Sequence, residues 1–132
     1  MSPKTNDRPF PIQDFFGFAL TSSEPGHCVA STVITDVHLN PNGVVHGGVL
    51  FTMADTAMGR ATMDLLPPGD ICASIEVHVR FLRPVSSGAL RVEIRAIKHG
   101  SRIVHLEGHA FDDEQRVVAA VAGSFAVIPA RE

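Results

Sequence analysis

The stretch His46-Gly47-Gly48-Val49-Leu50-Phe51-Thr52-Met53-Ala54-Asp55 decides how the chain is read. A histidine and two glycines open an apolar run that continues to about Leu66 and carries Asp55 near its middle. Leu66-Pro67-Pro68-Gly69-Asp70 then breaks it, so the spacing predicts a helix over roughly 47–65. Steps of about 100° put Leu50, Phe51, Ala54, Ala57, Met58, Ala61 and Leu65 on one broad face, which should pack on a sheet. Beside it runs a second stripe, Gly48, Thr52, Asp55, Gly59 and Thr62, in which Asp55 is the one charge. A plain solvent face would carry Lys, Glu and Arg instead of glycine and threonine. Glycine inside a helix costs about 0.8–1.0 kcal/mol relative to alanine. Gly59 therefore suggests that something approaches the backbone closely, and the stripe reads as a contact surface or, in the plainer alternative, as a solvated face.

Outward from the helix, the rest is strand and turn. Leu39-Asn40-Pro41-Asn42-Gly43 marks a tight loop just upstream, and β-branched residues predict a strand within 26–36. In Ser74–Leu82, Ile75, Val77, Val79 and Phe81 alternate with polar residues, the period of a half-buried strand. Residues 90–98 alternate again, His99-Gly100-Ser101 is a hairpin turn, and strands follow over 102–111 and 117–128. Phe10–Leu20 concentrates four phenylalanines and reads as a short helix or turn laid over an apolar surface, either core or pocket wall. One long helix beside an antiparallel meander of about five strands is an α+β layout. Residues 1–9 read as a flexible tail and 10–132 as a single domain.

Apolar residues make up 45% of the 132, and charged residues 19%, so a real core is expected. The net charge of −3 comes with no basic cluster, which argues against nucleic acid as a partner. Two cysteines, Cys28 and Cys72, make neither a disulfide framework nor a zinc ligand set. No segment has the length of apolar sequence that a membrane span requires, and the first residues lack a signal-peptide pattern, so a cytoplasmic location is expected.

Asn40-x-x-Gly43-x-x-His46-Gly47-Gly48, with Asp55 nine residues after the histidine, resembles the hotdog-fold acyl-CoA thioesterases. The likeness is to the phenylacetate-degradation type, related to 4-hydroxybenzoyl-CoA thioesterases, and runs over nearly the whole chain. It implies a long central helix wrapped by a curved antiparallel sheet of five to six strands, pairing into homodimers and homotetramers. It implies further that Asn40 and His46 hold the active-site loop, and that Gly47 gives its backbone N–H to the thioester carbonyl. Asp55 would be general base or nucleophile, and Ser74 would orient the attacking water. Gly59 stands where some relatives, with glutamate at the Asp55 position, have threonine, which favours the aspartate-plus-serine form of the site. Gly48, Arg80, Arg83, Lys98, Ser101 and Arg102 are the candidates for substrate and CoA contacts; the last five lie near strand ends and are equally explained as a solvated rim. No cofactor is implied, since the CoA thioester is itself the substrate.

The chemistry fits those residue types. Negative charge develops on the carbonyl oxygen, and free N–H groups at a helix N-terminus suit it. Glycine allows close approach and unusual dihedrals. Geometry adds a constraint: Asp55 lies eight residues beyond Gly47, about 12 Å along a helix axis, yet both must reach one carbonyl. One straight helix cannot do that, whereas two antiparallel helices related by a two-fold axis can. Gly47 would then come from one chain and Asp55 and Ser74 from the other.

His46 as a general base is the alternative to His46 as a loop brace. The other six histidines, His105 and His109 included, lack partners at ligand spacing, so no metal site is expected. The function expected is hydrolysis of an aryl-acetyl-CoA or medium-chain acyl-CoA. A non-catalytic acyl-CoA binding module is the alternative, disfavoured because binding alone needs neither Asp55 nor Ser74. Hotdog hydratases and dehydratases use a different, histidine-centred arrangement.

Overall fold

Alternation along the strands and one apolar helix produce a two-layer molecule. The computed structural model describes residues 8–131; the N-terminal tail expected over 1–9 falls almost wholly outside them. A short helix α1 (Pro11–Phe16) leads into β1 (Ala19–Glu24) and β2 (His27–Val33). A 3₁₀ turn (Asp36–His38) and the Asn40–Val45 loop then deliver the chain to α2 (Gly47–Met63). Four strands follow: β3 (Ile71–Phe81), β4 (Ala89–His99), β5 (Ile103–Phe111) and β6 (Val117–Ile128). The six strands form one antiparallel sheet in the order β1-β2-β4-β5-β6-β3, and among the described residues β3 lies at an edge, paired only to β6.

The helix touches all six strands. Six strands about 4.8 Å apart span about 24 Å, twice the width of a helix, so a flat sheet would leave its outer strands out of reach. The sheet must curl around α2. The buried side of that wrap is Val49, Leu50, Met53, Ala54, Ala57, Met58 and Ala61 from the helix, against Cys28, Ala30, Leu90, Val92, Ile94, Val104, Leu106 and Phe125. Alanines at three helix positions let the backbone lie close to the strands, and Met53 and Met58 fill the gaps.

Several expectations change. Phe51 stands 44% exposed, while Met53 is sealed in the core. Thr62, expected on the polar stripe, is fully buried, because its hydroxyl donates to Met58 O one turn back at 2.8 Å and so needs no water. Ile75 is 54% exposed instead of inward. A bulge between Ser74 and Glu76 inserts one extra residue and switches parity, so that Cys72 and Ser74 share the helix side with Val77 and Val79. β1 was not expected as a strand: Ala-Leu-Thr-Ser-Ser-Glu lacks apolar alternation, and its pairing to β2 supplies the order instead. No residue of α1 is buried; of the aromatic segment only Phe18 enters the core.

Met53 is the deepest test of this packing. Met53→Ala should lower the unfolding free energy by about 2–5 kcal/mol in urea titrations, with the slope of the transition unchanged.

Candidate active site

The loop before α2 is built by Asn40. Its Oδ1 accepts from the N–H of Asn42 (2.9 Å) and of Val44 (3.3 Å), and its own backbone N–H donates to Val44 O at 2.8 Å. Gly43, at φ +78, closes the turn by donating to Asn40 O. His46 follows in extended conformation as the N-cap of α2, with Nδ1 accepting from Gly48 N–H at 2.8 Å. The capping nitrogen must be unprotonated, so the neutral ring carries its proton on Nε2. His46 N–H in turn donates to the carbonyl of buried His38, whose Nε2 reaches Phe16 O and whose Nδ1 accepts from Thr35 N–H. The loop is thereby tied back to α1.

At the helix start, the Gly48 amide is capped by the His46 ring and the Val49 amide donates to His46 O. The described hydrogen bonds give the Gly47 amide no acceptor. It is a free donor at the positive end of a 17-residue helix. Neither Gly47 nor Gly48 has positive φ, so unusual dihedrals do not explain them. Crowding does: a Cβ on Gly47 would lie 2.7 Å from Phe81 Cζ, and one on Gly48 would lie 3.0 Å from His46 Nδ1. Gly59 is different, since a Cβ there would meet only Phe125 at an ordinary 3.7 Å. Among the described residues, none excludes a side chain there.

Asp55 is half-buried on the same helix, and its Oδ1 has no hydrogen-bond partner. Burial pushes its carboxyl above the ordinary range. The neighbour it acts on is Cys72, whose thiol is pushed up by burial first and by the Asp55 charge second. Cys72 was not among the expected site residues; its place two residues before Ser74 on one strand face was the available signal.

Two contacts fix how β3 runs along the helix. Cys72 Sγ lies 3.7 Å from Gly59 O, and the Phe81 ring lies on Gly47. The strand therefore runs antiparallel to α2, and Ser74, on the same face as Cys72, falls level with the turn that carries Asp55. Ser74 itself is exposed. By this register Asp55 and Ser74 fall at the same level along α2, whereas Asp55 and the Gly47 amide are separated by the length of two helical turns.

The cationic candidates divide into two groups. Arg80 and Arg83 lie beside the N-terminal end of α2, where Arg83 lines a groove of 410 Å³ with Gly47 and Phe81. Lys98 lines a 500 Å³ groove with His27, Arg95 and Leu65, at the C-terminal end of the helix. Ser101 and Arg102 form the β4–β5 hairpin near it, where Arg102 O accepts from Val127 N–H. Within one chain these five residues do not form one site. Among the described residues, no group of three or more His, Cys, Asp or Glu side chains is placed to hold a metal ion, and no helix is long and apolar enough to cross a membrane.

Comparison with known proteins adds a family. Residues 42–119 match the model of the thioesterase superfamily. The chain is 29% identical to a candidate esterase of Saccharolobus solfataricus over 88% of its length and 77% of the relative's. It is 23% identical to the 1,4-dihydroxy-2-naphthoyl-CoA hydrolase of Listeria monocytogenes, covering 88% of this chain and 94% of that one. Its fold superposes on a thioesterase of Haemophilus influenzae with a TM-score of 0.86 at 22% identity, over 92% of this chain and 85% of the other.

The unpartnered carboxylate has a cost that can be measured. Because the fold raises Asp55 above its ordinary 3.8, the folded state holds the proton more tightly than the unfolded one. Stability is then lost as pH rises through the interval between the two values and stays lost above it. Asp55→Asn should be more stable than the parent at pH 7 by thermal or urea unfolding, with the gap closing near pH 3; a less stable variant at pH 7 would contradict the assignment.

Proposed function

The chain belongs to the thioesterase superfamily and is a thioester hydrolase, and we propose that it cleaves aryl-acetyl-CoA or medium-chain acyl-CoA at sites shared by two copies of the chain. The observation that carries this reading is the half-buried Asp55 carboxylate, left without a partner on the same straight helix as the free Gly47 amide. A base and an oxyanion donor about 12 Å apart cannot serve one carbonyl. Antiparallel apposition of two α2 helices brings each N-terminus to the middle of its mate.

Three further features support a second copy here. Gly59 sits on the Asp55 stripe with no neighbour inside the chain that excludes a side chain. Phe51 is exposed on the same helix, and β3 presents an unpaired edge with Ile71 and Ile75 exposed on it. Unpaired, apolar edges are otherwise blunted by charge or covered. An assembly of such dimers into tetramers, and the phenylacetate-degradation subgroup, extend the same reading.

In the reaction, Asp55 takes a proton from water as the water oxygen attacks the thioester carbon. Its burial-raised basicity suits that task. Ser74, level with Asp55 on the neighbouring strand, orients the water. The oxygen that gains the electron pair is held by the partner copy's Gly47 amide, an interaction worth about 10²–10³ in rate. Collapse of the tetrahedral intermediate breaks the C–S bond, and CoA leaves as the thiol with the proton returned from Asp55. Asn40 and His46 keep the loop and the amide in place. Arg80, Lys98, Ser101 and Arg102 offer cations and donors to the CoA phosphates, Arg80 from one helix end and the other three from the opposite end and so from different copies, while Arg83 lines the groove beside Gly47.

Free-thiol release over a panel of acyl-CoAs tests the reading: Asp55→Asn should lose roughly 10²–10⁴-fold in kcat. Mixing Asp55→Asn subunits with subunits carrying a disrupted Gly47 loop should restore up to one working site per heterodimer. Absence of any recovery in verified heterodimers would count against shared sites. Oxygen-18 appearing in Asp55 after a single turnover would replace base catalysis by direct attack and a mixed anhydride.

A further inference from the structure

We propose that Phe81 sets the size of acyl group the site accepts, and that residue 47 is glycine because the Phe81 ring occupies the space a side chain would fill. The inference rests on the thioesterase reading and adds a residue and a subsite to it. The ring meets Gly47 tip-on: a Cβ there would lie 2.7 Å from Cζ, 3.2 Å from Cε1 and 3.3 Å from Cε2. Backbone conformation offers no other reason, since Gly47 is an ordinary first-turn helical residue without positive φ.

The backbone that carries the ring is fixed, although the exposed side chain itself has room to turn outward. The Leu82 and Arg83 amides both donate to Val118 O, at 2.9 and 3.1 Å, which pins the backbone just past Phe81. Yet Phe81 is 56% exposed, so it is not held there by core burial. A large aromatic side chain is thus kept at the surface beside a free amide.

Beneath it lies the groove of 410 Å³, within the range of about 300–1,000 Å³ usual for small-molecule sites. Its walls are apolar, with Val44, Leu50, Pro84, Val85 and Leu90 facing Phe81, and Arg83 is its one charged lining residue. Val45 N–H donates to Val85 O at 2.8 Å, tying the two walls together. Gly47 belongs to the same lining. A carbonyl oxygen bound to the Gly47 amide would place one of the carbonyl's two substituents at the mouth of this groove, and the apolar lining suits the acyl chain better than the polar CoA arm. The occupant is therefore the acyl group, with the ring face available to an aryl substituent.

The test measures kcat/KM for short, medium, branched and aryl-acetyl CoA thioesters in the full chain and in Phe81→Leu, Phe81→Ala, Gly47→Ala and the Gly47→Ala/Phe81→Ala double variant. Unfolding of each variant is followed by urea. The ratio of kcat/KM for bulky over short substrates should rise at least tenfold in Phe81→Ala and by an intermediate factor in Phe81→Leu, which preserves an apolar filler should alanine fail to fold. Gly47→Ala should lose at least about a hundredfold, and the double variant should regain at least tenfold of that, with urea midpoints likewise non-additive. An active parent whose selectivity ratios stay within twofold in both Phe81 variants, or a double variant no better than Gly47→Ala, would overturn this inference and leave the thioesterase reading standing. A folded parent that turns over no acyl-CoA would overturn both.

Discussion

A straight helix keeps its residues at fixed distances, and the account of this protein depends on that rigidity. The free amide at Gly47 and the carboxylate at Asp55 ride on one helix, wedged into a curled sheet that touches it on every strand. Core packing on Met53, Ala54, Ala57 and Met58 leaves the helix no freedom to bend the two groups together. In the reading proposed above, each chain holds half of two sites, the free Gly47 amide at one end of the helix and Asp55 in its middle. On that proposal dimerisation is part of the chemistry and not an accessory to it.

The same helix shows how function is set against stability. A carboxylate half-withdrawn from water without a partner is unfavourable, and so is a glycine at position 59 that no neighbour inside the chain demands. His46, by contrast, serves both ends: its ring caps the helix and in doing so leaves the preceding amide uncommitted. The strand beside the helix is tuned in a similar way. The bulge after Ser74 keeps Cys72 and Ser74 on the helix side together with Val77 and Val79, so one strand carries both the serine proposed for the site and part of the apolar packing.

What was legible in the sequence was local. Glycines after a capping histidine and the Leu66-Pro67-Pro68 break bounded α2 to within two residues, because caps and prolines act on their own neighbours. β3 and β4 announced themselves by alternation, β5 and β6 by the turns that precede them, and the combined loop-and-helix motif pointed to the family. Non-local features were not legible. The bulge that turns Ile75 outward is a property of the β3–β6 pair, and β1 exists because β2 offers it an edge. Phe51, placed by spacing on the sheet-facing side, is 44% exposed, and Met53, outside that expected face, is fully buried. The Phe81 ring over Gly47 joins residues 34 apart in sequence, and no spacing rule connects them.

The central claim is spatial, and a crystal structure of the assembled protein with a non-hydrolysable acyl-CoA analogue measures it most directly. The account predicts the analogue's carbonyl oxygen about 3 Å from Gly47 N of one copy, with the Asp55 carboxylate and Ser74 of another copy on the opposite side. A carbonyl bound between groups of a single chain, or Asp55 turned to solvent away from every neighbouring helix N-terminus, would contradict it.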